Sequence, residues 1–138
     1  MGSDMGSAAN RAAIAGYFAA INGEDWDALA DLFHDDAELR APGTAPRLGG
    51  AAVATYFRDA LAPYPVHRDE PTREIYAGDV VTVEIHFEGT LAGGGTLAFD
   101  AVDVFDLLDG RIHRLSSWYD SHYVRGLMRE ATAATQST

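Results

Sequence analysis

The fold is decided by the stretch LAFDAVDVFDLL, residues 97–108, which is followed by the dipeptide Asp109-Gly110. Apolar and polar residues alternate along it, which is typical of a β-strand, because successive strand side chains point to opposite faces. Asp-Gly is typical of a tight hairpin turn, so a second strand should return from residue 111. Asp103 falls in the middle of the apolar face. That face is otherwise formed by Leu97, Phe99, Ala101, Phe105 and Leu107.

A carboxyl group on an apolar strand face has two interpretations. It marks the centre of a site, or the strand register slips at a bulge and Asp103 faces solvent with its neighbours Asp100 and Asp106. In the first case, burial would raise the pKa of Asp103, because a low dielectric disfavours the charged form. A neutral carboxyl could then donate a hydrogen bond to a developing oxyanion.

Three helices are predicted upstream of this strand. Apolar residues recur at helical spacing over residues 8–21 and over residues 51–61. Between them, Asp25 can cap a short helix whose buried stripe runs from Trp26 to Phe33. Tyr17 lies on the buried flank of the first helix, from which its phenol could reach Asp103. Alternatively, it is a core aromatic residue.

The remaining elements are strands. A short strand is predicted over residues 37–40, and residues 81–87 alternate between an apolar and a polar face. Residues 66–77 contain Pro71 and are expected to form an edge or bulged strand. The last strand is predicted from Arg111 to about Tyr123. Three helices followed by a meander of strands predict an α+β fold, with helices on one face of a curved, mostly antiparallel sheet.

The 138 residues are enough for one domain with a core. We expect residues 1–7 to be a cloning remnant or disordered, residues 8–130 to form the single domain, and residues 131–138 to be a flexible tail. No secretory signal or membrane-spanning run is visible, so the cytoplasm is the expected location.

The net charge of −11 argues against nucleic acid and anionic membranes as partners. Cysteine is absent, which excludes disulfides and thiol chemistry. The five histidines show no metal-binding spacing, so a metal site is not expected. A small molecule is the expected partner.

Asp120 is the third candidate for acid/base chemistry, because this carboxylate lies among aromatic residues near the end of the predicted last strand. The alternative is a strand-end Asp that accepts hydrogen bonds from nearby backbone. Arg40 could hold an anionic group of a substrate at the cavity mouth, although surface solvation is the usual role of such a residue. The cavity wall is predicted to include Phe33, Tyr56, Phe57, Phe87, Phe99, Phe105 and Tyr119.

Several stretches resemble the nuclear-transport-factor-like superfamily, especially ketosteroid isomerases and SnoaL-like polyketide cyclases. The resemblance covers approximately Ile14 to Met128 and is specific for the fold. The stretches that carry it are YFAAINGEDWDALADLFHDDAEL at 17–39, Pro42-Gly43, RLGG at 47–50, DVFDL at 103–107, DGRI at 109–112 and WYD at 118–120.

The resemblance implies a cystatin-like cone with an interior pocket, usually paired as a homodimer through the outer sheet face. Tyr17 falls at the position of the isomerase oxyanion-hole tyrosine, and Asp103 at that of its protonated aspartic partner. The isomerase base position is occupied by Ala41. The implied function is that of a cofactor-free cyclase or isomerase, which would act on a small apolar oxygenated, polyketide-like substrate by acid/base chemistry and enolate stabilisation. The alternatives are a non-catalytic ligand-binding or dimerisation module, and a dehydratase, another lyase or a hydrolase of the same fold.

Overall fold

The computed structural model describes residues 6–136, which form four helices and six strands. Residues 1–5 and 137–138, at the ends of the predicted remnant and of the predicted tail, lie outside the described residues. In chain order, the elements are α1 (Ala8–Gly23), α2 (Trp26–Asp31), β1 (Phe33–Arg40), β2 (Arg47–Leu48), α3 (Gly50–Leu61), β3 (Val66–Ala77), β4 (Val80–Thr90), β5 (Thr96–Leu108), β6 (Arg111–Trp118) and α4 (Ser121–Gln136).

The six strands form one curved sheet in the order β2-β1-β6-β5-β4-β3. All neighbouring strands are antiparallel except β1 and β6, which are parallel. The predicted α+β class and mostly antiparallel sheet are therefore confirmed. β3 is an edge strand with a register shift between Pro71 and Arg73, as its proline predicted.

The predicted register of β5 is also confirmed. Phe105 and Leu107 are fully or almost fully buried, and Asp103 on the same face is only 3% exposed. The hairpin after β5 turns through Asp109 and Gly110, whose φ angles of 53° and 77° both lie in the left-handed region. This is the conformation that an Asp-Gly hairpin turn requires.

The second helix and the end of the sheet differ from the predictions. α2 ends at Asp31, and Phe33 begins β1. The last strand ends at Trp118 rather than near Tyr123, because the chain then enters a helix, α4, that the sequence analysis did not predict. The backbone N–H of Tyr123 donates to Asp120 Oδ1 at 3.0 Å, so Asp120 caps this helix.

Both predicted chain ends take part in the domain within the described range. Ser7, at the end of the predicted remnant, caps α1: its Oγ accepts a hydrogen bond from the Asn10 backbone N–H at 3.0 Å. Residues 131–136, which were placed in the tail, continue α4, and Ala131 is buried. Among the helices of residues 6–136, none is long and apolar enough to cross a membrane.

Candidate active site

A cavity of about 300 Å³ lies between the inner face of the sheet and helices α1, α3 and α4. Its wall is mostly aromatic and aliphatic, with a few polar groups, which is typical of a small-molecule site. The lining residues are Tyr17, Tyr56, Phe57, Ala60, Leu61, Tyr64, Asp69, Ile85, Phe87, Phe99, Ala101, Asp103, Ser117, Tyr119, Val124 and Met128.

Asp103 is placed in this cavity by the alternation of β5, between Val83 on β4 and Ser117 on β6. Its Oδ1 is buried and has no hydrogen-bond partner among the described residues. Burial raises the pKa of Asp103 to about 7, and the interactions of the carboxyl with Ser117 and with the Tyr17 hydroxyl only partly oppose this rise. The group is therefore a neutral carboxylic acid in mildly acidic solution, and it can donate a hydrogen bond into the cavity.

Tyr17 reaches the same point from α1 and is 1% exposed. Its ring is held edge-on against Phe105, at a centroid distance of 4.9 Å, and against Phe57, at 6.0 Å. Burial, together with the nearby carboxyl of Asp103, raises the pKa of Tyr17 well above its ordinary value, so the phenol stays protonated. The Tyr17 phenol and the Asp103 carboxyl are thus two protonated groups that line the same cavity and can each donate a hydrogen bond.

A row of aromatic rings forms one wall of the cavity. Phe87 and Phe99 are cross-strand neighbours whose ring centroids lie 4.9 Å apart, with an interplanar angle of 33°. Tyr119 continues the row at 5.5 Å from Phe99, and Tyr64 meets Phe87 edge-on at 5.1 Å. Such a wall favours flat, apolar molecules over charged or strongly hydrated ones.

Tyr56 and Tyr119 line the cavity next to each other, and Arg47 lies beside Tyr56. Burial and the neighbouring Tyr119 raise the pKa of Tyr56 to about 12. The Arg47 guanidinium lies 5.3 Å from the centroid of the Tyr56 ring, within the range of a cation–π contact. Arg47, rather than the predicted Arg40, is therefore the arginine beside the cavity.

Asp69 is a second carboxyl group in the cavity, and the sequence analysis did not single it out. It lies on β3 opposite Phe87, on the inner face of the sheet. Its Oδ1 is buried and, within the described residues, lacks a hydrogen-bond partner. Burial raises the pKa of Asp69 to about 6, although the nearby His67 lowers it in part. The alternation of His67, Asp69 and Pro71 along β3 indicates that these three residues share one face of the strand. This pattern is hard to recognise in the sequence, because the edge strand carries many charged residues and has a register shift.

The structure brings most of the predicted site residues together. Tyr17 and Asp103 line the cavity, as do five of the predicted wall residues: Tyr56, Phe57, Phe87, Phe99 and Tyr119.

Four predicted positions are corrected. Phe33 and Phe105 are at most 1% exposed and belong to the core behind the cavity. Arg40 is exposed and its Nε donates to Glu38 Oε1 at 2.8 Å. Asp120 is exposed because it caps α4, so it is not a cavity residue.

Further lining residues come from segments whose role the sequence analysis missed. Val124 and Met128 lie on α4, where apolar residues recur at helical spacing, and Tyr64 follows α3. Within residues 6–136, no three His, Asp or Glu side chains come together in a way that could hold a metal ion.

The curved sheet, the helices packed on it and the interior cavity define a class of cone-shaped α+β domains with a ligand-sized pocket. The chain belongs to the SnoaL-like domain family, whose family model matches residues 14–115. This confirms the resemblance to SnoaL-like proteins, and structural neighbours with cystatin and ketosteroid-isomerase-like folds confirm the cystatin-like architecture. No match is found among curated protein sequences.

Three solved structures illustrate the similarity. The chain is 24% identical to TerC, which was co-crystallised with polyporic acid; the match covers 88% of this chain and 99% of TerC, with a TM-score of 0.79. It is 27% identical to a putative polyketide cyclase from Sinorhizobium meliloti (78% and 94% covered, TM-score 0.68). It is 21% identical to IdmH, a putative polyketide cyclase from Streptomyces antibioticus (86% and 97% covered, TM-score 0.75). These matches show that the chain shares its fold with the three proteins.

Proposed function

We propose that this protein is a cofactor-free cyclase or isomerase that stabilises the enolate of a small, flat, apolar carbonyl compound. The observation that carries the proposal is the buried Asp103 carboxyl beside the Tyr17 phenol, inside a cavity with an aromatic wall. Two preorganised donors aimed at one point are the arrangement that lowers the energy of a developing oxyanion.

The proposed chemistry begins when the carbonyl oxygen of the substrate accepts hydrogen bonds from Tyr17 and protonated Asp103. Removal of a proton from the adjacent carbon leaves its electron pair to form the enolate double bond, while the carbonyl π pair moves to the oxygen. Where a carbon–carbon double bond adjoins the enolate, the resulting dienolate regains the proton at the far carbon of that double bond, and the remaining double bond moves into conjugation with the carbonyl, which is an isomerisation. Alternatively, the enolate carbon forms a carbon–carbon bond to a second carbonyl of the same molecule, whose oxygen takes the proton, which is a cyclisation. In either case the first carbonyl is restored.

The size and lining of the cavity support the substrate class. A volume of about 300 Å³ is at the small end of the usual range for ligand sites and suits a molecule of a few fused rings. The row of Phe87, Phe99 and Tyr119 offers stacking surface to such rings. The putative polyketide cyclases among the neighbours are consistent with a polyketide-like substrate.

The proposal can be tested with a ketone and a mimic of its enolate. In deuterium oxide, the protein should accelerate exchange of the α-protons of 2-tetralone, measured by proton NMR. It should also bind 2-naphthol, measured by the naphthol fluorescence. Tyr17→Phe should slow the exchange about 100-fold, the usual cost of one oxyanion donor, and should weaken naphthol binding.

Tyr123→Phe is the matched control, because Tyr123 is 56% exposed. It should change neither measurement. The proposed function would be refuted if the protein exchanged the α-protons no faster than free acetate does and if Tyr17→Phe left the affinity for naphthol unchanged. Naphthol binding that depends on Tyr17 without any exchange would instead favour the non-catalytic ligand-binding module.

We further propose that two copies pair through the outer face of the sheet. Support comes from Trp118, which is 50% exposed on that face beside its cross-strand neighbour Val102. Tryptophan is enriched at protein–protein interfaces relative to the rest of the surface. Light scattering of the wild type and of Trp118→Glu tests this: a dimer that Trp118→Glu dissociates is expected, and a wild-type monomer at micromolar concentration contradicts it.

A further inference from the structure

Proton removal needs a base, and Ala41, which occupies the isomerase base position in the sequence, cannot supply one. Ala41 is also absent from the cavity lining. Asp120, the other sequence candidate, is exposed and caps α4. Among the described residues of the lining, only Asp69 and Asp103 carry carboxyl groups. If Asp103 donates to the oxygen, the proton acceptor has to be Asp69 or a group of the substrate itself.

We propose that Asp69 is the catalytic base, which takes the α-proton while Tyr17 and Asp103 hold the carbonyl oxygen. This inference rests on the proposed function and adds the residue that function lacks. The proton passes from the substrate carbon to an Asp69 carboxylate oxygen and returns to the enolate, or to the oxygen formed by cyclisation, so that Asp69 ends the cycle ionised. The step requires no oxidant, reductant or further reactant.

The geometry supports a fixed, reactive carboxylate at this position. Asn22 at the end of α1 binds the backbone of Asp69 on both sides: the Asp69 N–H donates to Asn22 Oδ1 at 2.8 Å, and Asn22 Nδ2 donates to the Asp69 carbonyl at 3.0 Å. The backbone is thus fixed by a helix, while Oδ1 of the side chain is left without a partner in a lining position. A partner-free oxygen is what a base needs in order to receive a proton.

The charged and titratable groups around Asp69 favour the ionised form of Asp69, the base, and the protonated form of Asp103, the hydrogen-bond donor. Tyr17 lies on α1 and Asp103 on β5, and the charge of Asp69 raises the pKa of both groups, which keeps them protonated. His67, two residues earlier on β3, has the opposite effect on Asp69 and favours its ionised form. Phe87, the residue opposite Asp69 on β4, carries no charge.

His67 is itself held by a surface residue. Its side chain is 3% exposed, and its Nε2 lies 2.6 Å from Glu24 Oε2 just after α1. The Glu24 carboxylate can accept a hydrogen bond from this ring nitrogen, which fixes the imidazole in place. Glu24 and His67 therefore act as positioning residues, which support the ionised form of Asp69 without touching the substrate.

Two measurements test the role of Asp69. Asp69→Asn should slow 2-tetralone exchange by about 100-fold or more, the usual contribution of a general base. The same variant should bind 2-naphthol several-fold more tightly above pH 6, because the negative charge facing the naphtholate is gone. Glu70→Gln is the control: the next residue of β3 is exposed, and the substitution should change neither value. Thermal unfolding checks that the variants are folded.

The outcomes separate this inference from the proposed function. If Tyr17→Phe slows exchange and Asp69→Asn does not, the function stands and Asp69 is not the base. The inference would also be overturned if Asp69→Asn bound 2-naphthol with the wild-type affinity between pH 5 and 8. This binding test does not depend on catalytic activity. His67→Gln should move the acidic limb of the exchange rate to higher pH. An unmoved limb would show that His67 and Glu24 do not support the ionised form of Asp69.

Discussion

Replacing Asp103 by Asn should make the folded protein markedly more stable at neutral pH than the wild type. The carboxyl is buried, with one oxygen unpaired, and burial raises its pKa to about 7 from 3.8. Between these two values the unfolded chain is ionised and the folded chain is protonated. The folded state binds more protons there, so the stability of the wild type falls as the pH rises through this window and is flat above it.

The magnitude follows from the shift. Three pH units at about 1.4 kcal/mol per unit give about 4 kcal/mol, of which about 3 kcal/mol falls above pH 5. Asparagine has nearly the shape of the neutral acid but cannot ionise. Asp103→Asn should therefore exceed the wild type in stability by about 1 kcal/mol at pH 5 and by about 4 kcal/mol at pH 8.

Urea unfolding between pH 5 and pH 8, followed by tryptophan fluorescence, measures this difference. Asp106→Asn is the matched control, because Asp106 lies on the outer face of the same strand, opposite Val80 of β4 and Arg114 of β6. Its stability should follow the wild-type pH dependence. If Asp103→Asn keeps the wild-type slope between pH 5 and 8, Asp103 is ionised in the folded protein and cannot be the neutral donor that the mechanism requires.

Three further predictions concern the site and its surroundings. The rate of 2-tetralone exchange should be bell-shaped, rising as Asp69 ionises at a pKa of about 6 and falling as Asp103 loses its proton at about 7; a rate that rises steadily to pH 9 would contradict the division of roles. Asp120→Ala should cost about 1 kcal/mol of stability through the lost helix cap and leave exchange unchanged, whereas loss of exchange in the folded variant would return Asp120 to the site. Phe99→Ala should weaken 2-naphthol binding about tenfold by breaking the aromatic row, equivalent to about 1.4 kcal/mol; fluorescence titration measures it, and an unchanged affinity would place the ligand elsewhere.

The sequence predicted secondary structure and burial correctly where the local residue pattern and the tertiary packing favour the same structure. The alternation in residues 97–108 predicted a strand, its register and the inward position of Asp103, because one face of that strand is buried and a slip of one residue would expose it. The Asp-Gly turn was equally readable, since both residues must adopt a positive φ. The aromatic residues of α3, β4 and β5 followed from the same periodicities.

The errors lie where two interpretations of a short segment compete. Residues 118–124 are rich in aromatic residues and favour a strand by composition, yet the cap formed by Asp120 and the apolar spacing that follows it favour a helix. Asp69 was missed because β3 is an edge strand with many charged residues and a register shift, so its inward face carries little apolar signal. The burial of Asp69 depends on Asn22, which is 47 residues away, and no local pattern contains that contact.

The most direct test of the central claim is a titration of the Asp103 carboxyl carbon by carbon NMR, with Asp103→Asn used to assign the signal. The carboxyl should remain protonated at pH 6 and titrate near pH 7, and the affinity for 2-naphthol should fall as the carboxyl ionises. A carboxyl carbon that titrates near pH 4, with naphthol binding unchanged through pH 7, would contradict the claim that a neutral Asp103 and Tyr17 together form the oxyanion site.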